Sequence, residues 1–281
     1  MTTSQIESEL AKSFPRWLIL TIVGAVLFVM AFYAVTDSHY LAHDHALEGA
    51  DWFSYAVCHR ITERSFMING RQFPLCARCT GMYLGAALTM LALWLAGRAR
   101  HIALPPLPIL LTLLGFMAIM GIDGLNSYSH FFPDVPHLYE PRNWLRLLTG
   151  MGTGLALGAV ILPTLSQTLW LPQEFRPSVS NFRELGGLVL VGGTAVLLVL
   201  SNQPIMLYVL AIISTAGLLT VVTALNTVMV LILSRRESLA TTWRQATLPL
   251  LIGVALALIE LSAISLLRFN LTGTMTGFPG L

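Results

Sequence analysis

Long apolar runs separated by polar stretches set the layout of this chain. The first covers residues 17–35 (WLILTIVGAVLFVMAFYAV). Others cover 80–97, 107–122, about 144–162, 185–200, 204–233 and 247–268. About 20 consecutive apolar residues suffice for one helical crossing of a bilayer. The runs are continuous rather than alternating, which selects helices over barrel strands. The pattern predicts an all-α fold, a polytopic transmembrane helical bundle of about seven spans. Run 204–233 is long for one crossing and predicts a tilted helix or one that continues beyond the membrane. Residues 201–204 (SNQP) predict a tight hairpin between two spans.

The polar stretches divide the rest. In residues 1–16, Ser4 followed by Glu7 fits a capping box, and Ile6, Leu10 and Phe14 share a helical face. A short interfacial helix is predicted there. A cleaved signal peptide fits less well, because the apolar run is too long and Glu7 and Glu9 oppose a basic leader. Residues 36–79 form the longest polar connection, and a long loop in a compact chain is usually functional or disordered. Residues 124–143, with three prolines, predict an ordered or re-entrant loop. The chain thus divides into an N-terminal interfacial segment (1–16), a four-span unit (17–162) with its core at 58–150, a linker (163–184) and a three-span unit (185–281).

Composition sharpens this picture. Charged residues make up 11% of the chain, against about 25% in a soluble domain. Such a chain cannot coat itself with a charged surface, so the lipid bilayer is its solvent and first partner. A net charge of +2 offers no nucleic-acid surface. Of sixteen basic residues only Lys12 is a lysine, and guanidinium forks suit carboxylates and phosphates. An N-terminus in the cytoplasm places Lys12, Arg16, Arg98, Arg100, Arg176, Arg183, Arg235, Arg236 and Arg244 inside. The other side then holds Arg142, Arg146, Arg268 and four arginines of the cysteine segment. If those four are held in a site, the bias favours a multi-pass protein of the cell (inner, cytoplasmic) membrane with its N-terminus inside. No P-loop, H-E-x-x-H or Ser-His-Asp grouping is present, and no nucleotide, haem or quinone signature.

Candidate chemistry concentrates in residues 58–85. All three cysteines lie here, as Cys58-His59 and Cys76-x-x-Cys79. Three readings stay open. Cys58, Cys76 and Cys79 can hold zinc, with His59, His39, His43, His45 or Asp123 as a fourth ligand. Adjacent residues such as Cys58 and His59 seldom both reach one ion without strain. Cys76 and Cys79 can instead cycle as a membrane thiol–disulfide pair, with Cys58 resolving. The third reading is structural, in a non-catalytic assembly subunit. Arg60, Arg64, Arg71 and Arg78 surround the thiols. Positive charge favours thiolate, and the same arginines can grip an anionic, lipid-linked ligand or simply snorkel to lipid phosphates.

Spacing brings further residues to this end of the bundle. Gly81 and Gly85, and Gly150, Gly154 and Gly158, form G-x-x-x-G faces that let helices approach closely. They predict tight packing of the second and fourth spans, or contacts in a homo-oligomer or membrane complex. Asp123, Asn126, His130, Arg142, Arg146 and Thr149 emerge on the same side as the cysteines. An Asp123–Arg146 pair holding the bundle is the alternative to a site. Glu260 lies inside the last span, where a carboxyl is costly, and Asn226 is a candidate partner. His39 and His43 would share a helical face and, with His45, can bind a second metal.

The motif Cys58-His59-Arg60, Arg64-Ser65-Phe66, Gly70, Pro74-Leu75-Cys76-Ala77-Arg78-Cys79-Thr80-Gly81, Tyr83 and Gly85 resembles a family of uncharacterised prokaryotic integral membrane proteins. The resemblance extends to Asp123-Gly124, Asn126 and Arg146 to Gly150, covers about residues 50–160, and leaves 185–281 outside. It implies a membrane fold in which 58–150 acts as one unit, and it brings no activity or cofactor. The residues themselves point to a Cys58/His59/Cys76/Cys79 metal centre. In an enzyme, Arg60, Arg78 and Arg146 would neutralise an anionic substrate, with Asp123 as acid or base.

Overall fold

The computed structural model describes residues 47–132 and 138–277. The expected first span, the interfacial helix, and His39, His43 and His45 lie outside the described residues. Within them the order is α1 (Glu48–Tyr55), a 3-10 turn (Thr62–Arg64), β1 (Ser65–Ile68), β2 (Arg71–Cys76), α2 (Ala77–Leu95), β3 (His101–Ala103), α3 (Leu107–Ser129), α4 (Asn143–Leu169), β4 (Glu174–Pro177), α5 (Phe182–Leu200), α6 (Pro204–Leu233) and α7 (Trp243–Thr272). Six helices, α2 to α7, are long and apolar enough to cross a membrane. The helical bundle expected from the apolar runs is therefore present.

Boundaries shift where polarity was read as an end. The loop expected from residue 124 starts later, because α3 continues to Ser129. Asp123, Asn126 and Ser127 are buried on it, and their spacing places them on one face. They turn inward to partners, so polarity here does not break the helix. Similarly, α4 passes through Pro163 and α7 through Pro249.

The contact that orders the bundle is between α2 and α4. A Cβ at Gly81 would collide with the Leu147 carbonyl, one at Gly150 with the Arg78 carbonyl, and one at Gly154 with the Met82 carbonyl. Only glycine lets these backbones touch, as the two G-x-x-x-G faces predicted. Those faces meet each other inside the chain. Gly217 likewise brings α6 against the Tyr83 carbonyl of α2. Outward, α3 presents Leu111, Leu114, Ile119 and Ile122, and α5 presents Leu190 and Leu197, all exposed. A bilayer covers such faces; water would not. Between α6 and α7, Asn226 donates to Glu260 at 3.0 Å, the partner expected for that carboxyl.

Alternation of the spans puts the start of α2 and α4 and the end of α3 and α7 on one membrane face. There α1 and the β1–β2 hairpin pack as a cap, and Ser265 on α7 donates to the Trp52 carbonyl at 2.6 Å. On the other face β3 pairs with β4, and Arg98 grips Glu184 at 2.6 and 2.8 Å.

Gly154→Ala is expected to destabilise the protein by roughly 1–3 kcal/mol through overpacking, read as a lowered unfolding midpoint in detergent. Gly115→Ala, whose Cβ meets nothing within 4 Å, should leave the midpoint unchanged. Equal midpoints for the two variants would refute this account of the α2–α4 contact.

Candidate metal centre

The hairpin aims the cysteines. Ile68 pairs with Arg71 across a two-residue loop. Asn69 and Gly70, at φ 49° and 83°, supply the left-handed pair that such a loop requires. β2 then runs directly into α2. Cys76 is the N-cap of α2 in extended conformation, and Cys79 lies one turn in. The C-x-x-C pair therefore straddles a helix N-terminus, where unpaired N–H groups and the macrodipole favour negative sulfur.

Cys58 arrives from the loop after α1. Its backbone N–H bonds to the Ser54 carbonyl at 2.9 Å. Two residues on, Arg60 adopts φ 49°, a strained conformation for a residue other than glycine. That reversal is held by its partners. Arg60 pairs with Asp51 at 2.9 Å. Its carbonyl accepts from Gln72 Nε2 and from the Gly277 N–H, both at 2.9 Å. The result places the sulfurs of Cys58, Cys76 and Cys79 all within 4.8 Å of one another. The Cys76 backbone N–H donates to Cys58 Sγ at 3.1 Å. Hydrogen bonds from the Cys76 and Cys79 thiols hold Cys58 well below an ordinary thiol. Donating to Cys58 pushes Cys76 up to about 12. Cys58 is thus the first of these two thiols to ionise.

The donor set suits a soft metal. Three sulfurs within 4.8 Å of one another are close enough to take three corners of a tetrahedron around an ion such as zinc. His59 is not a member of the sulfur group. Its Nδ1 accepts from the Ile61 N–H at 3.2 Å. Burial lowers its basicity, and repulsion from Arg64, Arg78 and Arg146 lowers it further.

The expected arginines divide into two groups. Arg60 and Arg71 both turn to Asp51, at 2.9 and 2.8 Å. Arg78 pairs with the buried Asp123 and donates to Ser127 Oγ at 3.2 Å. Arg146 donates to Ser127 Oγ at 3.4 Å and to Asn143 Oδ1 at 2.8 Å. Asp123 also accepts from the Tyr139 hydroxyl at 2.9 Å. The carboxylate expected as a partner of Arg146 is therefore in contact with Arg78. Asn126 bonds the Tyr139 carbonyl and the Leu138 N–H, and His130 bonds the same carbonyl. Arg142 is exposed at the N-cap of α4.

Several groups at the site have no assigned role in the sequence reading, among them Asp51, Tyr139 and Asn143, and two stand out. Ser127 is one; its i+4 spacing from Asp123 was the available signal. Arg268 is the other, on α7. It donates to the carbonyls of Tyr55 (2.7 Å), Cys58 and His59 (3.2 Å), and its guanidinium lies 4.1 Å from the centre of the Tyr55 ring. No local pattern links residue 268 to residue 58.

Arg268→Gln is expected to free the Cys58 loop. Loss of charge-assisted bonds of about 1.5–3 kcal/mol should speed alkylation of Cys58, now 1% exposed, by about tenfold or more. An unchanged rate would mean the loop is held without Arg268.

Residues 58–160 match the family described as "Predicted membrane protein (DUF2085)". An uncharacterized protein of Methanothermobacter thermautotrophicus is 36% identical over 104 residues, which span 37% of this chain and 83% of that protein. An uncharacterized protein of Methanocaldococcus jannaschii is 29% identical over 114 residues, spanning 41% of this chain and 67% of that protein. No solved structure matches. The matched stretch begins at Cys58 and includes all three cysteines, Arg78, Asp123 and Arg146, while Arg268 and α5 to α7 lie beyond it. This chain, with the thiol centre and spans α2 to α4 in the matched region, belongs to that family of predicted membrane proteins.

Proposed function

We propose that this is a metal-binding membrane protein in which Cys58, Cys76 and Cys79 hold a zinc-like ion beside an anion-binding surface. The observation that carries this reading is the convergence of all three sulfurs at the N-terminus of α2. Three protein ligands leave a position for a further group, and an ion with an open position supplies Lewis acidity. His59, next to Cys58 in the chain, stands as the candidate fourth ligand.

The chain's own residues support a role for an anionic, lipid-linked substrate. Arg78 and Arg146 would neutralise its charge, with Arg60 holding the turn that carries Cys58. Asp123, between Arg78 and Tyr139, is the group positioned to take or return a proton. We place this face outside the cytoplasm. The opposite face carries Arg98, Arg100, Arg176, Arg183, Arg235, Arg236 and Arg244, and the arginines of the site are engaged in contacts that make them poor reporters of topology.

Elemental analysis of detergent-purified protein beside Cys76→Ser tests the reading. About one zinc or iron per chain is expected, lost in the variant. Protein free of metal, with Cys76 joined to Cys79 as a disulfide, would overturn it in favour of a membrane thiol–disulfide protein.

A further inference from the structure

Three guanidiniums come together on one residue, Ser127, two at its hydroxyl and one at its backbone carbonyl. Arg64 donates to the Ser127 carbonyl at 3.0 Å, and Arg78 and Arg146 donate to Ser127 Oγ at 3.2 and 3.4 Å. They arrive from three directions: the turn before β1, the first turn of α2 and the first turn of α4. Ser127 itself is fully buried. Among the described residues a single carboxylate, Asp123, touches this cluster, and it contacts Arg78. Arg64 contacts the Phe131 ring, at 4.1 Å, and Arg146 contacts Asn143; neither forms an ion pair among the described residues. Arg78 Nε is buried with no hydrogen-bond partner there.

Like charges this close repel one another, and partial burial, with Arg146 buried and Arg64 and Arg78 half-buried, removes part of the water that would screen them. Such an arrangement persists when a ligand supplies the missing negative charge. The ligand's form follows from the geometry. One guanidinium fork neutralises one planar carboxylate. Here three forks face one carboxylate, an excess of two positive charges. Their three approaches suit an anion with several equivalent oxygens. A phosphomonoester has that form and carries close to two charges at neutral pH.

We propose that Arg64, Arg78 and Arg146, gathered around Ser127, form a binding site for a phosphomonoester dianion. The inference deepens the proposed function by naming the class of its anionic ligand, and it does not require the metal. Two sources share this chemistry: a lipid phosphomonoester headgroup and free phosphate.

The test uses the full chain in nanodiscs of phosphatidylcholine. The unfolding midpoint is followed against inorganic phosphate, and in discs containing phosphatidic acid or phosphatidylglycerol. A ligand that binds the native state raises the midpoint in a concentration-dependent way. The expected result is a rise with phosphatidic acid, with inorganic phosphate, or with both, exceeding any rise with phosphatidylglycerol. A response to phosphatidic acid alone identifies the lipid source, and a response to inorganic phosphate the free one. Arg64→Gln and Arg146→Gln should each weaken binding about 10- to 100-fold. Arg71→Gln, whose partner is Asp51, should leave it unchanged. No rise with either phosphomonoester source, or a rise that survives both substitutions at the cluster, would overturn the inference. Metal content measured on the same samples separates the two readings. Metal-free protein that binds phosphate removes the metal centre alone, and metal-loaded protein without phosphate response removes the anion site alone.

Discussion

The touching backbones of α2 and α4 are the constraint on which the rest depends. Glycine at 81, 150 and 154 removes the side chains that would hold these helices apart. In lipid, where apolar side chains gain little by leaving the solvent, such close van der Waals contact is a main source of helix association. The contact also fixes chemistry. Gly150 rests on the Arg78 carbonyl, so the first turns of both helices are locked side by side. Cys79, Arg78 and Arg146 acquire their relative positions from that contact and not from their own interactions.

Charge is the second organising problem. Buried ion pairs return little net stability, but leaving one partner alone is costly. The site therefore sorts its cations. Arg60 and Arg71 share Asp51, Arg78 takes Asp123, and Arg268 is turned onto backbone carbonyls and an aromatic face. The thiols lie within this framework, gathered at the N-terminus of α2. The surplus charge that remains is confined to the neighbourhood of Ser127.

Much of this was legible in the sequence, and the reasons for the gaps are physical. Apolar runs report lipid exposure directly, so six of the seven expected spans match described helices, although α3 and α4 run about seven residues past the expected ends. Glycine spacing reported the α2–α4 contact for the same reason: only backbone approach requires it. Polarity misled at Asp123, Asn126 and Ser127, because a polar residue on an inward helical face looks, in one dimension, like the start of a loop. The hairpin had a local signal in Asn69-Gly70 directly after the apolar run Phe66-Met67-Ile68. Arg64 stood among four arginines of equal apparent standing. Its separation from Arg60 and Arg71 depends on the left-handed turn at Arg60 and on the position of Asp51. Arg268 could not be read at all, since its contact with Cys58 joins residues 210 positions apart.

That last contact has a temporal side. Synthesis runs from the N-terminus, and elements fold as they emerge. The segment carrying Cys58, Cys76 and Cys79 crosses into place several spans before α7 exists. During that interval the loop after α1 lacks the clasp provided by Arg268 and the Gly277 N–H. The contacts that hold the Cys58 loop are complete only once α7 has docked. The shelter of the cysteine loop is thus completed by a helix that enters late in the chain.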